Sequence, residues 1–417
     1  MRLPALLLFA LLFLVPDQVA HAQTVDIGTT LLQDAAVRAA LETARADEPR
    51  TIEDQIRICE IPAPPFKEAD RARVYADAFR SEGLQNVRVD KTGNVIGERR
   101  GRAPRPSLVF SAHLDTVFPE GTNVRVTRSG TLLKGPGIGD DCRGLAVLLA
   151  MIRALNKARV QTPGTITFVG TVGEEGLGDL RGVKTLFNDT LKGQIDRFVS
   201  IDGTGYGITH VAVGSRRYRV AYKGPGGHSY GAFGSANPVH ALGRAIEAIS
   251  NFEVPADPKT TFNVGRVGGG TSVNAIAFEA WMEVDMRSAD PAALQAVETK
   301  FLAEVDKALA DENARWKDRG RLTVEKELVG DRPAGRTAAS SAIVVAAVSV
   351  TRALGLPVTL DEGSTDSNTP MSLGIPALTI DGGGVGRGSH ALEESFDSVD
   401  SWKGTQRALL LAIALAQ

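Results

Sequence analysis

The chain has 417 residues but only two cysteines, Cys59 and Cys142. Two thiols cannot build a disulfide framework, and they exclude a structural zinc held by four cysteines. A dominant charge is missing too. The 47 basic side chains face 49 acidic ones, for a net charge of −2. Nucleic-acid proteins carry a strong basic excess or patch, so no nucleic-acid partner is expected. An anionic membrane surface selects for the same excess and is excluded on the same ground. Beyond residue 22 no apolar run reaches the ~18 residues of a spanning helix. Repeats and low-complexity tracts are also lacking. What remains is ordinary: 43% hydrophobic and 23% charged residues, the composition of a folded chain with enough length for two or three domains.

The first 22 residues stand apart. Arg2 precedes an apolar run from Leu3 to Val15, too short for the ~20 residues a membrane span needs. Ala20-His21-Ala22 then puts small residues at the −3 and −1 positions of a cleavage site. The pattern predicts a secretory signal peptide over residues 1–22, cut near Ala22, and an exported protein, periplasmic or secreted.

Downstream, Ile52–Ile58 and Asp70–Leu84 have helical periodicity, with Pro62, Pro64 and Pro65 between them. From Pro106 on, short apolar runs each end in a polar, glycine-rich turn. They are Ser107–Ser111, Thr165–Val172, Arg197–Ile201 and Ala377–Ile380. Helices are expected over Arg143–Lys157, Ala338–Leu354 and Trp402–Ala416. Apolar strands alternating with buried helices predict an α/β fold with a mostly parallel sheet.

The middle of the chain reads differently. Strands are expected at Arg216–Tyr222, Thr261–Val267, Ile276–Met286 and Arg321–Leu328. Helices are expected at Pro238–Ser250, capped by Asn237, and at Pro291–Leu309, capped by Asp290. The order β-α-β-β-α-β is that of a ferredoxin-like unit. The expected organisation is therefore a catalytic domain in two parts, 23–214 and 330–417, with a lid of residues 215–329 inserted between them.

Ligands of open α/β sheets gather beyond the C-terminal ends of the strands. At those ends the sequence places His113-Leu114-Asp115, Glu174-Glu175, Asp202 and, after a glycine loop, His390; Asp140-Asp141 stands just before a helix. Singly, such residues are most often turns and helix caps. Together, two histidines and several carboxylates on one edge would repel strongly without a cation among them. They form the donor set of zinc or a similar divalent ion, and one shared carboxylate would suit a two-metal hydrolytic site.

Competing motifs fail on context. Gly227-His228-Ser229-Tyr230-Gly231 has the spacing of a serine nucleophile elbow, but a glycine loop precedes it and no helix follows at once. The glycine-rich stretches 135–139 and 382–388 lack Gly-Lys-Ser/Thr and a proper Gly-x-Gly-x-x-Gly, and there is no His-Glu-x-x-His. A serine hydrolase using Ser229 and a non-catalytic binding protein stay as remote alternatives.

The segments Ser111-Ala112-His113-Leu114-Asp115-Thr116-Val117, Gly137-Ile138-Gly139-Asp140-Asp141, Gly173-Glu174-Glu175-Gly176, Gly226-Gly227-His228-Ser229 and Gly388-Ser389-His390 occur in the order seen in metallopeptidase family 20. The chain resembles that family, which includes peptidase T, carboxypeptidase G, acetylornithine deacetylase and succinyl-diaminopimelate desuccinylase. The resemblance implies two zinc ions, with cobalt or manganese as alternatives. Asp140 would bridge them, with His113 and Asp202 on one and Glu175 and His390 on the other. It implies Glu174 as general base toward the bridging water, and Asp115 as the group orienting His113. It also implies that His228 steadies the oxyanion of a partner subunit's site, through a homodimer formed by the lid. Asn274 and Arg287 would contact a substrate carboxylate. The expected substrates are small peptides, with N-acyl amino acids as the alternative. Asp at position 202 resembles the peptidase T and dipeptidase branch. Cys142-Arg143 departs from the Lys-Gly often found after the two acids, which bears on local packing.

Overall fold

The computed structural model describes residues 26–417, so the predicted signal peptide lies outside the described residues. Nine strands form one large mixed sheet. Its centre is parallel: Thr165–Thr171, Ser107–His113, Arg197–Ile201 and Ala377–Ile380 lie side by side, with Phe110 level with Phe168 and Val199. Antiparallel strands extend it at both sides, Val95–Arg99 and Gln85–Val89 at one and Gly207–Ala212 at the other. The parallel strands are buried almost end to end because both faces are covered. One cover is the helix Cys142–Lys157, which is buried from Cys142 to Leu155. It lies between the strand Ser107–His113 and the helices Ala35–Ala46, Glu48–Cys59 and Trp402–Leu415. On the other face Leu180, Val183, Leu186 and Phe187 pack with Phe198 and Met371. Each fully buried side chain of this size contributes roughly 1.5–3 kcal/mol.

A second sheet of four antiparallel strands has its own core. Its order is Thr260–Gly269, Glu279–Ser288, Gly214–Lys223, Thr323–Arg332. Burial alternates along Glu279–Ser288, so one face is packed and the other open. Val220, Tyr222, Met282, Val284 and Met286 meet the helices Pro238–Ser250 and Pro291–Arg315 there. Both helices start as expected. Asn237 accepts from Val239 N at 2.9 Å, and Asp290 accepts from Ala293 N at 2.8 Å. This inserted unit leaves the large sheet after Ala212 and returns at Gly335, and those two residues pair in an antiparallel ladder. The neck is tight: a Cβ on Gly214 would sit 2.6 Å from Ala334 N.

Several elements differ from expectation. The second unit helix runs on to Arg315. Its apolar pattern is interrupted by Glu312 and Asn313, which are buried but satisfied. Glu312 accepts from Asn237 N, Arg244 and Trp316, and Asn313 exchanges bonds with Leu322. The strand expected at Ile276–Met286 divides, with Ala275–Ile276 pairing with Gly227–His228 and Glu279–Ser288 joining the sheet. The helices Ile27–Leu31 and Ala35–Ala46 and the strands Gln85–Val89, Val95–Arg99, Gly207–Ala212 and Thr359–Gly363 have no counterpart in the sequence reading.

Candidate active site

The strand-end residues converge. His113 ends its strand, Asp202 follows Arg197–Ile201, and Glu174 and Glu175 lie in the loop after Thr165–Thr171. Asp140 stands in the turn before Cys142–Lys157, and His390 lies beyond Val385–Arg387. Asp140 is the centre. Its Oδ1 is 2.9 Å from His113 Nε2, and its Oδ2 is 3.2 Å from His390 Nε2. His113 Nε2 is also 3.9 Å from Asp202 Oδ1, and His390 Nε2 is 3.0 Å from Glu175 Oε1. Three donor groups follow, His113/Asp140/Asp202, Asp140/Glu175/His390 and His113/Glu174/Glu175, each with its ligand atoms within 4.8 Å of one another. The first two share the carboxylate of Asp140. The two halves differ in depth, since the His113 side chain is 2% exposed and that of His390 55%.

Charge in the pocket is poorly neutralised. Burial pushes Asp202 up to about 7, helped by the negative charges of Asp140 and Glu175. Burial also works against Asp140, but the bonds from His113 and His390 outweigh it and hold that carboxyl far below its usual range. His390 is pushed up to about 10 by its bonds to Asp140 and Glu175. Burial opposes charging His113, yet the carboxylates of Asp115 and Asp140 beside it raise it well above an ordinary imidazole. The pocket thus draws positive charge onto its histidines. Imidazole nitrogens and carboxylate oxygens around shared positions are a donor set that suits divalent ions.

The paired acids divide their work. Asp141 turns away from the pocket and caps the helix, accepting from Gly144 N and from His113 N, both at 3.0 Å. A Cβ on Gly144 would meet its carboxylate at 2.3 Å, so only glycine fits there. In the other pair, Glu175 faces His390 while Glu174 is buried against Arg332, at 3.0 Å. Burial pushes Glu174 well above the usual carboxylate range, and Arg332 opposes the shift. Asp115 departs from expectation. Its carboxylate accepts from Glu174 N at 3.0 Å and Glu175 N at 2.8 Å, and stands 3.7 Å from His113 Nδ1. The imidazole is instead nearest the Asp115 main-chain carbonyl, at 3.0 Å. One residue therefore aligns the ring through its backbone and the acid loop through its side chain.

The residues expected on the inserted unit do not join this cluster. His228 is exposed, and its Nδ1 accepts from Tyr230 N and Gly231 N. Asn274 is exposed and accepts from Ser272 Oγ at 2.6 Å. Arg287 is 2.7 Å from Asp285. Ser229 follows a two-residue strand and lies 2.9 Å from Asn274 O through its backbone, which is not the strand-turn-helix of a nucleophile elbow.

Three polar groups escaped the sequence reading. Glu394 accepts from the backbone N–H groups of Gly137, Gly139 and Asp140, at 2.9, 2.8 and 3.1 Å, and so holds the Asp140 turn. Asp366 is buried, takes a bond from Thr171 at 2.5 Å, and is pushed up to about 6 by burial. The third is Arg332. The available signals were slight: a second acid after His390, a polar Ser-Thr-Asp-Ser-Asn stretch, and an arginine in an expected boundary loop. An open cleft of about 230 Å³ runs beside Asp140, lined by Gly139, Thr204, Arg387, Ser389 and Glu394.

Comparison with known proteins places the chain in a family. A Bacillus subtilis protein, YqjE, is 28% identical over 352 residues, covering 80% of this chain and 90% of its own length. The succinyl-diaminopimelate desuccinylase of Nitrosospira multiformis is 25% identical, over 59% of this chain and 70% of that enzyme. A tripeptidase from Staphylococcus aureus shares the fold, with a TM-score of 0.71 at 22% identity over 88% of this chain and 98% of its own. The sequence pattern of Peptidase family M20/M25/M40 matches residues 109–414. The chain belongs to that metal-dependent family and is a hydrolase of peptide or N-acyl amide bonds.

Proposed function

We propose that this protein is an exported, dinuclear-metal exopeptidase that cleaves small peptides. One observation carries the reading: the two oxygens of Asp140 are divided between His113 and His390, each of which has its own further carboxylate. His113, Asp140 and Asp202 would hold one ion, and Asp140, Glu175 and His390 the other; zinc suits these donors, with cobalt and manganese as alternatives. Two bound ions would polarise the scissile carbonyl and lower the pKa of the attacking water. Glu174 receives a proton at its carboxylate and returns it to the leaving amine. Asp115 holds the loop that presents it. Arg287 and Asn274 bind the substrate carboxylate.

His228 supplies the oxyanion contact in the partner subunit of a homodimer. Its exposure supports this role, as do the large exposed side chains around it: Tyr230, Phe233, Val273 and Phe278. The mature chain starts near Gln23, which N-terminal sequencing of the exported protein would check.

The main test joins metal removal to a substrate panel. A strong chelator should abolish hydrolysis, and Zn²⁺, Co²⁺ or Mn²⁺ should restore it. Activity that survives verified metal removal would sink the two-metal reading and return attention to Ser229. Di- and tripeptides should be cleaved faster than N-acyl amino acids. The likeness to a desuccinylase favours the second reading, a deacylase, and the reverse ranking on the panel would establish it.

A further inference from the structure

The loop that carries Glu174 and Glu175 is gripped from two sides. Asp115 holds it from the large sheet. The other grip comes from the root of the inserted unit, where the strands Gly214–Lys223 and Thr323–Arg332 pair, with Arg332 level with Ser215 and Asp331 level with Arg216. Three points of the loop are tied to this root. Arg332 Nη1 donates to Glu174 Oε1 at 3.0 Å, and its Nη2 donates to the main-chain oxygen of the same residue. Arg217 Nη1 donates to Gly176 O at 2.6 Å. The Asp331 N–H donates to Asp179 Oδ1 at 2.8 Å. Asp179 is held in turn by Lys184, at 2.5 Å. Arg332 is the most committed of these groups. Its side chain is 5% exposed and its Nη1 also reaches Ser364 Oγ at 3.2 Å.

We infer that Arg332 is a positioning residue, which acts through Glu174 and fastens the acid loop to the root of the inserted unit. A guanidinium presents two parallel donors, and here they take the carboxylate and the carbonyl of one residue. That fixes the side-chain rotamer and the backbone together. With Oε1 engaged, Oε2 is left for proton transfer. The base is then in place only while the last strand of the unit is seated against the loop, so any hinge at the neck reaches the base directly. The role rests on the reading of Glu174 as general base.

The test uses the full-length, metal-loaded protein with Arg332→Ala and Arg332→Lys. Displacing a catalytic group by about 1 Å costs on the order of 10²-fold, so Arg332→Ala should lower kcat by about that factor, with KM within about threefold and metal content unchanged. Added guanidinium should recover about tenfold of the loss, because it refills the vacated fork. Amides of residues 174–179 should exchange about tenfold faster, with those of Ser107–His113 unaffected. Arg332→Lys keeps the charge but not the fork, and should show a smaller kcat loss with the same loop exchange. It also decides the matter if Arg332→Ala fails to fold. A folded variant with wild-type kcat overturns the proposal. So does a kcat loss with neither faster loop exchange nor guanidinium recovery. Glu174→Gln is measured alongside. If it keeps the wild-type rate, the base assignment fails, while loop exchange still judges the clamp.

Discussion

The two regions that carry the candidate site residues are built in opposite ways. On the large sheet, His113, Asp140, Glu174, Glu175 and Asp202 are buried or half-buried and bonded to one another or to groups behind them. On the inserted unit, His228, Asn274 and Arg287 are separate, and their partners are neighbours on their own strands and turns. The first edge is finished within one chain. The second is a set of separate parts, two exposed and one half-buried, with no tertiary partner among the described residues holding them in place. Burial fixes geometry at the expense of adaptability, whereas exposure does the reverse.

The sharpest way to break this contrast is at the finished edge. Glu174→Gln keeps the shape but removes proton acceptance, and should cost roughly 10²- to 10⁴-fold in kcat with metal content near wild type. Glu175→Gln should instead lose metal, read by elemental analysis. Exchanged behaviour of the two variants would reverse their roles.

The outward edge is tested by complementation. His228→Ala and Glu174→Gln chains, each inactive alone, should regain about half the wild-type activity per dimer when co-expressed with two tags and purified as the mixed species, because one of its two sites would be intact. A mixed dimer as inactive as its parents would confine His228 to its own chain.

A smaller effect is expected at Arg287. A hydrogen bond to a charged group is worth about 1.5–3 kcal/mol, so Arg287→Ala should raise KM by roughly ten- to a hundredfold while kcat falls less. A KM unchanged on free-carboxylate substrates would remove Arg287 from substrate binding. Smallest is Asn237→Ala, which deletes the cap of Pro238–Ser250. It should cost about 1 kcal/mol in denaturant unfolding and leave metal content untouched. A drop in bound metal would show that the two edges are not independent.

The sequence was most readable where one residue does one job in one element. Apolar runs ending in acids marked the strand ends, and Asn237 and Asp290 marked the unit's helices. Legibility failed where a role is assigned by tertiary contact. Nothing local says that Asp141 turns inward to cap while Asp140 faces the pocket. Glu394 lies 254 residues from the Asp140 amide it holds, and Arg332 lies 158 from Glu174. The helix Ala35–Ala46 was missed because it is short of large apolar residues and is defined by what it packs on.

The neck of the inserted unit also bears on descent. The chain departs and returns through residues that are hydrogen-bonded to each other, Ala212 with Gly335 and Val211 with Arg336. A segment whose two ends touch can be acquired, exchanged or discarded in a single genetic event without opening the framework around it. The framework would keep its ladder, but its acid loop would need the new segment to supply a group in place of Arg332. The outward edge would change as well, and with it the proposed contacts to substrate and companion. The same junction offers protein engineers a place to graft one member's recognition surface onto another's reactive centre.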